Sequence, residues 1–304
     1  GQMTMGALIA CTILSSRILG PIATLPNILI QWGHSLASLQ SLDKFWALAS
    51  DHQATEQPVV LEHLKGTFQL ENVVAAYGNH PALAISALKI HAGEKIAIVG
   101  PIGAGKTTLL RLLSGMYKPQ HGVVKLDGID ICTLAKPALA ESVGFLQQEG
   151  RLFSGTLREN LVLGLIDPGD QALLEVSKLT GLYQCVLERN LQGLQLAIHE
   201  GGGGLSGGQK QLTNLTRVFL RKPKIWLLDE PTASLDRDME MKVISALHAS
   251  LKATDTLVLV THKPELLQLV DRIIVVANHQ IVMDGPKAEV LRKLSPPQAS
   301  ATQP

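Results

Sequence analysis

With 304 residues and 46% apolar side chains, the chain is long enough to bury a sizeable core and too apolar to be disordered throughout. Its 27 Lys and Arg against 26 Asp and Glu leave a net charge of +1. With no concentrated basic patch, that balance argues against a nucleic-acid partner. The three cysteines, Cys11, Cys132 and Cys185, lack metal-like spacing and suit a reduced cytosolic environment in which they simply pack.

Met5 to Leu14 is almost wholly apolar until Ser15, Ser16 and Arg17 interrupt it. Roughly ten helical residues cover about 15 Å, half of a hydrocarbon core of about 30 Å, so this run alone is too short to span. Three explanations compete: a signal peptide, a buried helix, or the exit half of a membrane helix whose beginning lies outside the chain. No basic segment precedes the run and no small-residue cleavage site follows it, which favours the membrane helix. Further on, Ile28, Leu29, Trp32, Leu36, Leu39, Leu42 and Trp46 recur at helical steps. They predict an amphipathic helix descending from a membrane, with a core-facing helix of the soluble part as the plainer alternative. Pro21 and Pro26 are expected to bend or break whatever helix precedes it. A polar linker runs through Gln57, so the chain divides at 1–57, 58–294 and a Pro- and Ser-containing tail at 295–304 that reads as disordered.

Thr67 to Ala75 begins a strand region, and Glu94 to Val99 reads as a buried strand. It runs into Gly100-Pro101-Ile102-Gly103-Ala104-Gly105-Lys106-Thr107, which fits G-x-x-x-x-G-K-[ST] at every specified position, with a helix beginning at Thr108. Glycines let the backbone wrap phosphates, the N–H groups at the helix start point at negative charge, Lys106 reaches the β- and γ-phosphates, and the Thr107 hydroxyl can ligate Mg²⁺. A glycine-rich turn with an accidental lysine would not also fall between a strand and a helix.

Residues 157 to 199 carry helical periodicity. After the glycine run Gly201 to Gly204 comes Leu205-Ser206-Gly207-Gly208-Gln209. A flexible linker could be this rich in glycine, but Gln209 to Arg221 is helix-like and Ser206 is placed to cap it. A helix start with a serine hydroxyl makes a second cradle for phosphate. Lys224 to Leu228 then forms an apolar strand ending in Asp229 and Glu230, which suit a metal-holding carboxylate and a group that polarises the attacking water. Acidic residues commonly end buried strands, so this pattern gains its weight from the phosphate loop. The strand Thr256 to Val260 is followed by Thr261-His262.

Together these motifs resemble the ATP-binding cassette family: phosphate loop, the LSGGQ signature, and the acidic strand end appear in the family's order. The resemblance implies an α/β fold with a phosphate-loop NTPase core and a helical subdomain, preceded by the end of a transmembrane helix and a coupling helix. It implies that Tyr77 stacks on adenine, that Gln148 is the Q-loop residue sensing Mg²⁺ and water, that Asp236 lies in the interface-crossing D-loop, and that His262 contacts the γ-phosphate and orients Glu230. A register with Gln147 in place of Gln148 stays open. ATP and Mg²⁺ are the implied cofactors, held by residues 100–108 including Thr108, by Leu205 to Gln209 of a second subunit, and by Thr107, Gln148 and Asp229 at the metal. Phosphate loop, acidic strand and His262 would share one mainly parallel sheet.

Gly6 to Ala10, Ile13 to Arg17 and Pro21 also look like the last membrane helix of type I secretion exporters, as do Glu200 to Leu205 and Pro231 to Asp236 in the cassette. That resemblance implies a homodimer with shared ATP sites joined to its own or a partner's transmembrane domain. It further implies an inner-membrane location with the ATPase on the cytoplasmic face, an exported protein substrate, and a periplasmic adaptor with an outer-membrane channel. An exporter of lipids or small molecules, or an ATP-dependent clamp with little turnover, remains in competition. Asn214 and Thr216 stand where exporters usually have small apolar residues and are expected to weaken helix packing. Asn278-His279 replaces a glycine-containing hairpin turn, which Asn tolerates.

Overall fold

The computed structural model describes residues 4–48, 58–61 and 64–294, and the chain divides into two compact units after Gln57. The polar linker and the tail from Ser295 lie outside the described residues, apart from Leu48 and its predecessors and the stretch from Pro58.

Among its described residues the first unit holds one α-helix, α1, Met5–Trp46. At 1.5 Å per residue its 42 residues extend about 63 Å. It contains an 18-residue window of mean hydropathy 1.7, none of it buried, and so is long and apolar enough to cross a membrane. The helix runs on through Ser15, Ser16 and Arg17, where the apolar run is interrupted. Ser16 Oγ donates back to Ile13 O at 3.0 Å and Thr12 Oγ1 to Leu8 O at 2.8 Å, so the hydroxyls satisfy themselves within the helix. Pro21 and Pro26 lie inside it without ending it. Between Arg17 and Asp43 there is no Asp, Glu, Lys or Arg, which lengthens the apolar run well beyond Leu14.

The second unit opens with the strands β1 (Phe68–Tyr77), β2 (His80–Ile90) and β3 (Lys95–Val99), followed by α2 (Lys106–Leu113). Next come β4 (His121–Leu126), β5 (Ile129–Asp130), α3 (Lys136–Ser142) and β6 (Val143–Leu146). The segment expected to be helical holds β7 (Gly155–Thr156), α4 (Leu157–Val162), α5 (Asp170–Thr180) and β8 (Ala197–Ile198). Beyond Thr180 it is therefore built of short helical turns and half of a two-stranded ribbon rather than regular helix. The rest is α6 (Gly207–Arg221), β9 (Ile225–Asp229), α7 (Arg237–Ser250), β10 (Thr256–Val260), β11 (Arg272–Ala277), β12 (Gln280–Pro286) and α8 (Lys287–Leu294).

Ten strands form one sheet in the order β5-β4-β1-β2-β12-β11-β3-β10-β9-β6. The strands bearing the nucleotide motifs are parallel: β6, β9, β10, β3 and β11 pair side by side. The other half is antiparallel, β1 pairing with β2 and β4, and β11 with β12. The sheet is thus mixed rather than mainly parallel, because β1, β2 and β12 return through short turns instead of helical crossovers. The Asn278-His279 turn joins β11 to β12 with both residues at positive φ, 49° and 63°.

Alternation along the central strands divides the core in two. Ile96 and Ile98, Ile225 and Leu227, Val258 and Val260 enter a core shared with Leu109, Leu110, Leu112 and Leu113 of α2. Their neighbours Ala97, Trp226, Leu228, Leu257 and Leu259 enter a second core with Leu212, Leu215 and Phe219 of α6 and Val243 and Leu247 of α7. A period of two on strands buried on both faces explains why these runs are continuously apolar.

Asn214 and Thr216 do not weaken α6. Asn214 Nδ2 donates to Gly150 O at 3.0 Å, and Thr216 Oγ1 meets Thr180 Oγ1 at 2.7 Å, so the two tie α6 to the segment after β6 and to α5. Paired polar groups in a buried helix contact are satisfied rather than stranded.

Candidate nucleotide site

The parallel strands β3 and β9 deliver their motifs to the same end of the sheet. Gly105 starts α2 in the left-handed region with φ 104°, and a Cβ there would lie 2.4 Å from Ala82 O. Only glycine fits, and no side chain caps this helix start, leaving its first-turn N–H groups for an anion. Lys106 Nζ donates to Gly100 O and Pro101 O, both at 2.8 Å, which holds the ammonium over the loop. Ala104, 4% exposed, anchors the loop's interior with its N–H on Pro101 O.

Thr107 Oγ1 donates to Asp229 Oδ2 at 2.6 Å, although 122 positions separate them. Asp229 is 1% exposed, and that burial pushes its carboxyl above the ordinary range; the Thr107 hydrogen bond works against the rise and the adjacent Glu230 adds to it. A buried carboxylate beside a hydroxyl is a hard oxygen pair suited to Mg²⁺, whose charge would offset the cost of ionising Asp229. Among the described residues no group of three or more His, Cys, Asp or Glu could hold a metal by itself.

Glu230 turns the chain after β9 in the left-handed region, φ 47°, with its N–H on Val260 O. Its Oε1 lies 3.2 Å from His262 Nδ1. These residues, apart from His262, line a cavity of about 370 Å³ together with Tyr77, Ile102, Gly103, Gly105, Lys106, Thr107, Thr108 and Gln148. Gln148 is the glutamine at this cavity; Gln147 reaches Met116 Sδ at 3.5 Å instead.

Ser206 caps α6 through a reciprocal box: Gln209 N donates to Ser206 Oγ at 3.3 Å and Ser206 N to Gln209 Oε1 at 2.9 Å. Gly208 sits where a Cβ would come within 2.8 Å of Ser234 O, so glycine lets the helix start approach the segment before α7. Ser206, Gly207, Gly208, Gln209 and Asp236 line a second cavity of about 460 Å³, and Leu205 packs on the adjoining core. Asp236 caps α7, accepting from Met239 N at 2.9 Å. No residue lines both cavities, so one chain does not bring its two phosphate cradles together.

Sequence reasoning missed several neighbours. Arg111 Nη1 donates to Tyr77 Oη at 3.2 Å and fixes the ring from α2. His80 and His279 line the first cavity, His279 with Nδ1 3.1 Å from Ala82 O. Gln211 donates to Glu230 O at 2.7 Å and accepts from Ser234 N at 2.8 Å. Lys263 donates to Thr232 O and Glu240 Oε2, both at 2.8 Å, bracing the turn after Glu230 against α7. Gln211, two residues after the signature, is the one with a local signal; the others depend on how distant strands register.

A phosphate loop, an acidic strand end with a facing histidine, and a separately capped signature helix on a mixed sheet define an ATP-binding cassette ATPase. Residues 83–233 match the family model described as ABC transporter, and the chain contains an ABC transporter ATP-binding domain, an ATP-hydrolysing domain. It is 34% identical over 94% of its length to the uncharacterized ABC transporter ATP-binding protein YwjA of Bacillus subtilis, covering 49% of that protein. At 30% identity over 96% of the chain it is similar to the toxin RTX-I translocation ATP-binding protein of Actinobacillus pleuropneumoniae and to the ATP-dependent lipid A-core flippase of Syntrophus aciditrophicus, covering 41% and 48% of them. The structure of a bacterial Atm1-family ABC exporter with ATP bound superposes with a TM-score of 0.80 at 25% identity, over 97% of this chain and 51% of that one. The chain spans about half the length of the curated relatives it matches.

Proposed function

We propose that this chain is the ATP-hydrolysing part of an exporter, working as a homodimer in which each phosphate loop faces the partner's signature helix. The observation that carries this reading is the separation of the two cradles into cavities with no common residue. Each is incomplete as a triphosphate site, and an isologous pair would complete both.

In this reading Tyr77 stacks on the base, residues 100–108 hold the phosphates, and Thr107 with Asp229 and Gln148 holds Mg²⁺. The metal, when bound, neutralises developing charge on the transferred phosphoryl group. Lys106 stabilises the same charge from the loop, and Ser206 with the α6 start adds N–H donors from the partner. Glu230 polarises the attacking water while His262, 3.2 Å away, orients it, and Asp236 lies at the shared interface. Helix α1 serves as the end of a transmembrane domain, placing the ATPase on the cytoplasmic face of the inner membrane.

For the cargo, the likeness of the first helix and the signature region to type I secretion exporters favours a protein substrate, passed on through a periplasmic adaptor and an outer-membrane channel. A lipid substrate is the second reading, favoured by an equal 30% identity to the lipid A-core flippase.

Steady-state ATPase of the chain against Glu230→Gln, with light scattering under Mg²⁺-ATP, tests the engine. Turnover in the parent and an inactive, ATP-locked dimer in the variant is the expected result. Tight ATP binding with no turnover in either dimeric protein would instead make the chain a clamp. Reconstitution of the full-length protein with candidate protein and lipid cargos separates the two cargo readings.

A further inference from the structure

At the opposite end of β9 from Asp229 lies a cavity of about 390 Å³, within the range of small-molecule sites. Its walls are Val176 and Leu179 of α5, Phe219 of α6 and Trp226 of β9. The Phe219 and Trp226 rings meet edge to face, with centroids 5.3 Å apart. Trp226 is 2% exposed, and its indole N–H is buried with no hydrogen-bond partner.

Lys222, Lys224 and Lys252 also line it, beside Pro223, Ser250 and Thr254, and among the described residues none of the three ammonium groups has a carboxylate within salt-bridge distance. The one carboxylate there, Asp255, is 5% exposed and accepts from Lys252 N at 3.0 Å, so it is engaged within its own turn. An apolar, aromatic floor with a rim of cations selects an amphiphilic anion.

We propose that this cavity binds a small amphiphilic anion, an aromatic or short-chain carboxylate or sulfonate, with its apolar body against Phe219 and Trp226 and its charge among the three lysines. The site shares no residue with the nucleotide cavity, so both can be filled at once. Trp226 and Asp229 lie on the same strand, about 10 Å apart at 3.3 Å per residue, which connects the occupant to the metal-side carboxylate through one rigid element.

Naphthalene-1-sulfonate is the probe. The chain has three tryptophans, so a Trp32→Phe/Trp46→Phe background isolates Trp226 emission. Saturable one-to-one binding that changes this emission is expected, undisturbed by saturating Mg²⁺-ATP. Lys222→Gln/Lys224→Gln/Lys252→Gln should weaken it at least tenfold at unchanged Tm, and Val176→Phe should block it by filling the cavity. Uncharged naphthalene-1-methanol should bind at least tenfold more weakly. Absence of saturable binding, equal affinity for the neutral compound or the lysine variant, or displacement by Mg²⁺-ATP would each overturn the proposal.

Discussion

Gln211 donates its side-chain amide to the main-chain carbonyl of Glu230 at 2.7 Å, joining the signature helix to the residue that follows β9. Because the same amide accepts from Ser234 N, it holds both ends of the 230–234 turn in one grip. Gln211→Ala should lower kcat about tenfold or more with nucleotide Kd within twofold, since a slight misplacement of the group proposed to polarise water acts on the chemical step. A parallel loss of nucleotide affinity, read by equilibrium binding, would refute the positioning role.

Asp229→Asn separates stability from turnover. Burial raises the folded-state pKa of Asp229, so its contribution to stability is full below the unfolded carboxylate value and is lost as pH rises through the folded one. Above that window the ionised side chain is a burden that asparagine lacks, while the amide oxygen still accepts from Thr107. Thermal melts without Mg²⁺-nucleotide should show the variant gaining on the parent as pH rises from the unfolded carboxylate value, each kcal/mol reading as about 2–4 °C. A parent that stays ahead across the range would contradict this, and ATPase should be lost regardless.

Arg217 is a half-buried cation with no carboxylate partner among the described residues, its pKa lowered to about 10 by burial. Its guanidinium donates to Asn160 O and Oδ1, to Arg151 O, and to Asn214 Oδ1. Lysine cannot reproduce that fork. Arg217→Lys should therefore cost about 1–3 kcal/mol through acceptors left unpaired, measured by urea unfolding. A midpoint equal to the parent's would show that water replaces the fork.

Ser206→Ala removes the hydroxyl that receives Gln209 N, and should cost about 1 kcal/mol as a lost helix cap. If the partner's signature serves the nucleotide, ATPase falls much further than the melt predicts. Ser206→Asp restores the cap but places an anion where phosphate would lie, so it should recover stability without turnover. Recovery of both would remove the signature from the nucleotide site.

The phosphate loop, the acidic strand end and the capped signature were legible because each is a contiguous pattern whose chemistry is local. The mixed character of the sheet was not, since its hairpin half is joined to the rest by β12 meeting β2, where Gln280 pairs with the distant Ala84. His279 illustrates the same limit: its turn was recognisable from two residues between apolar strands, but its place beside Ala82 is set by the register of that pairing. Asn214 and Thr216 looked like packing defects because their partners, Gly150 and Thr180, are far away in sequence. On α1, Pro21 and Pro26 were expected to bend or break the helix, and it continues through both.

Glu230 occupies backbone that L-residues seldom adopt, at φ 47°. A chain selected for durability alone would place glycine or asparagine there, relieving about 1 kcal/mol or more of conformational strain. Random mutagenesis scored by heat resistance would therefore enrich such changes at this position, yielding tougher molecules without the carboxylate proposed to polarise water. Screens for hardier forms of this domain need a turnover readout from the first round.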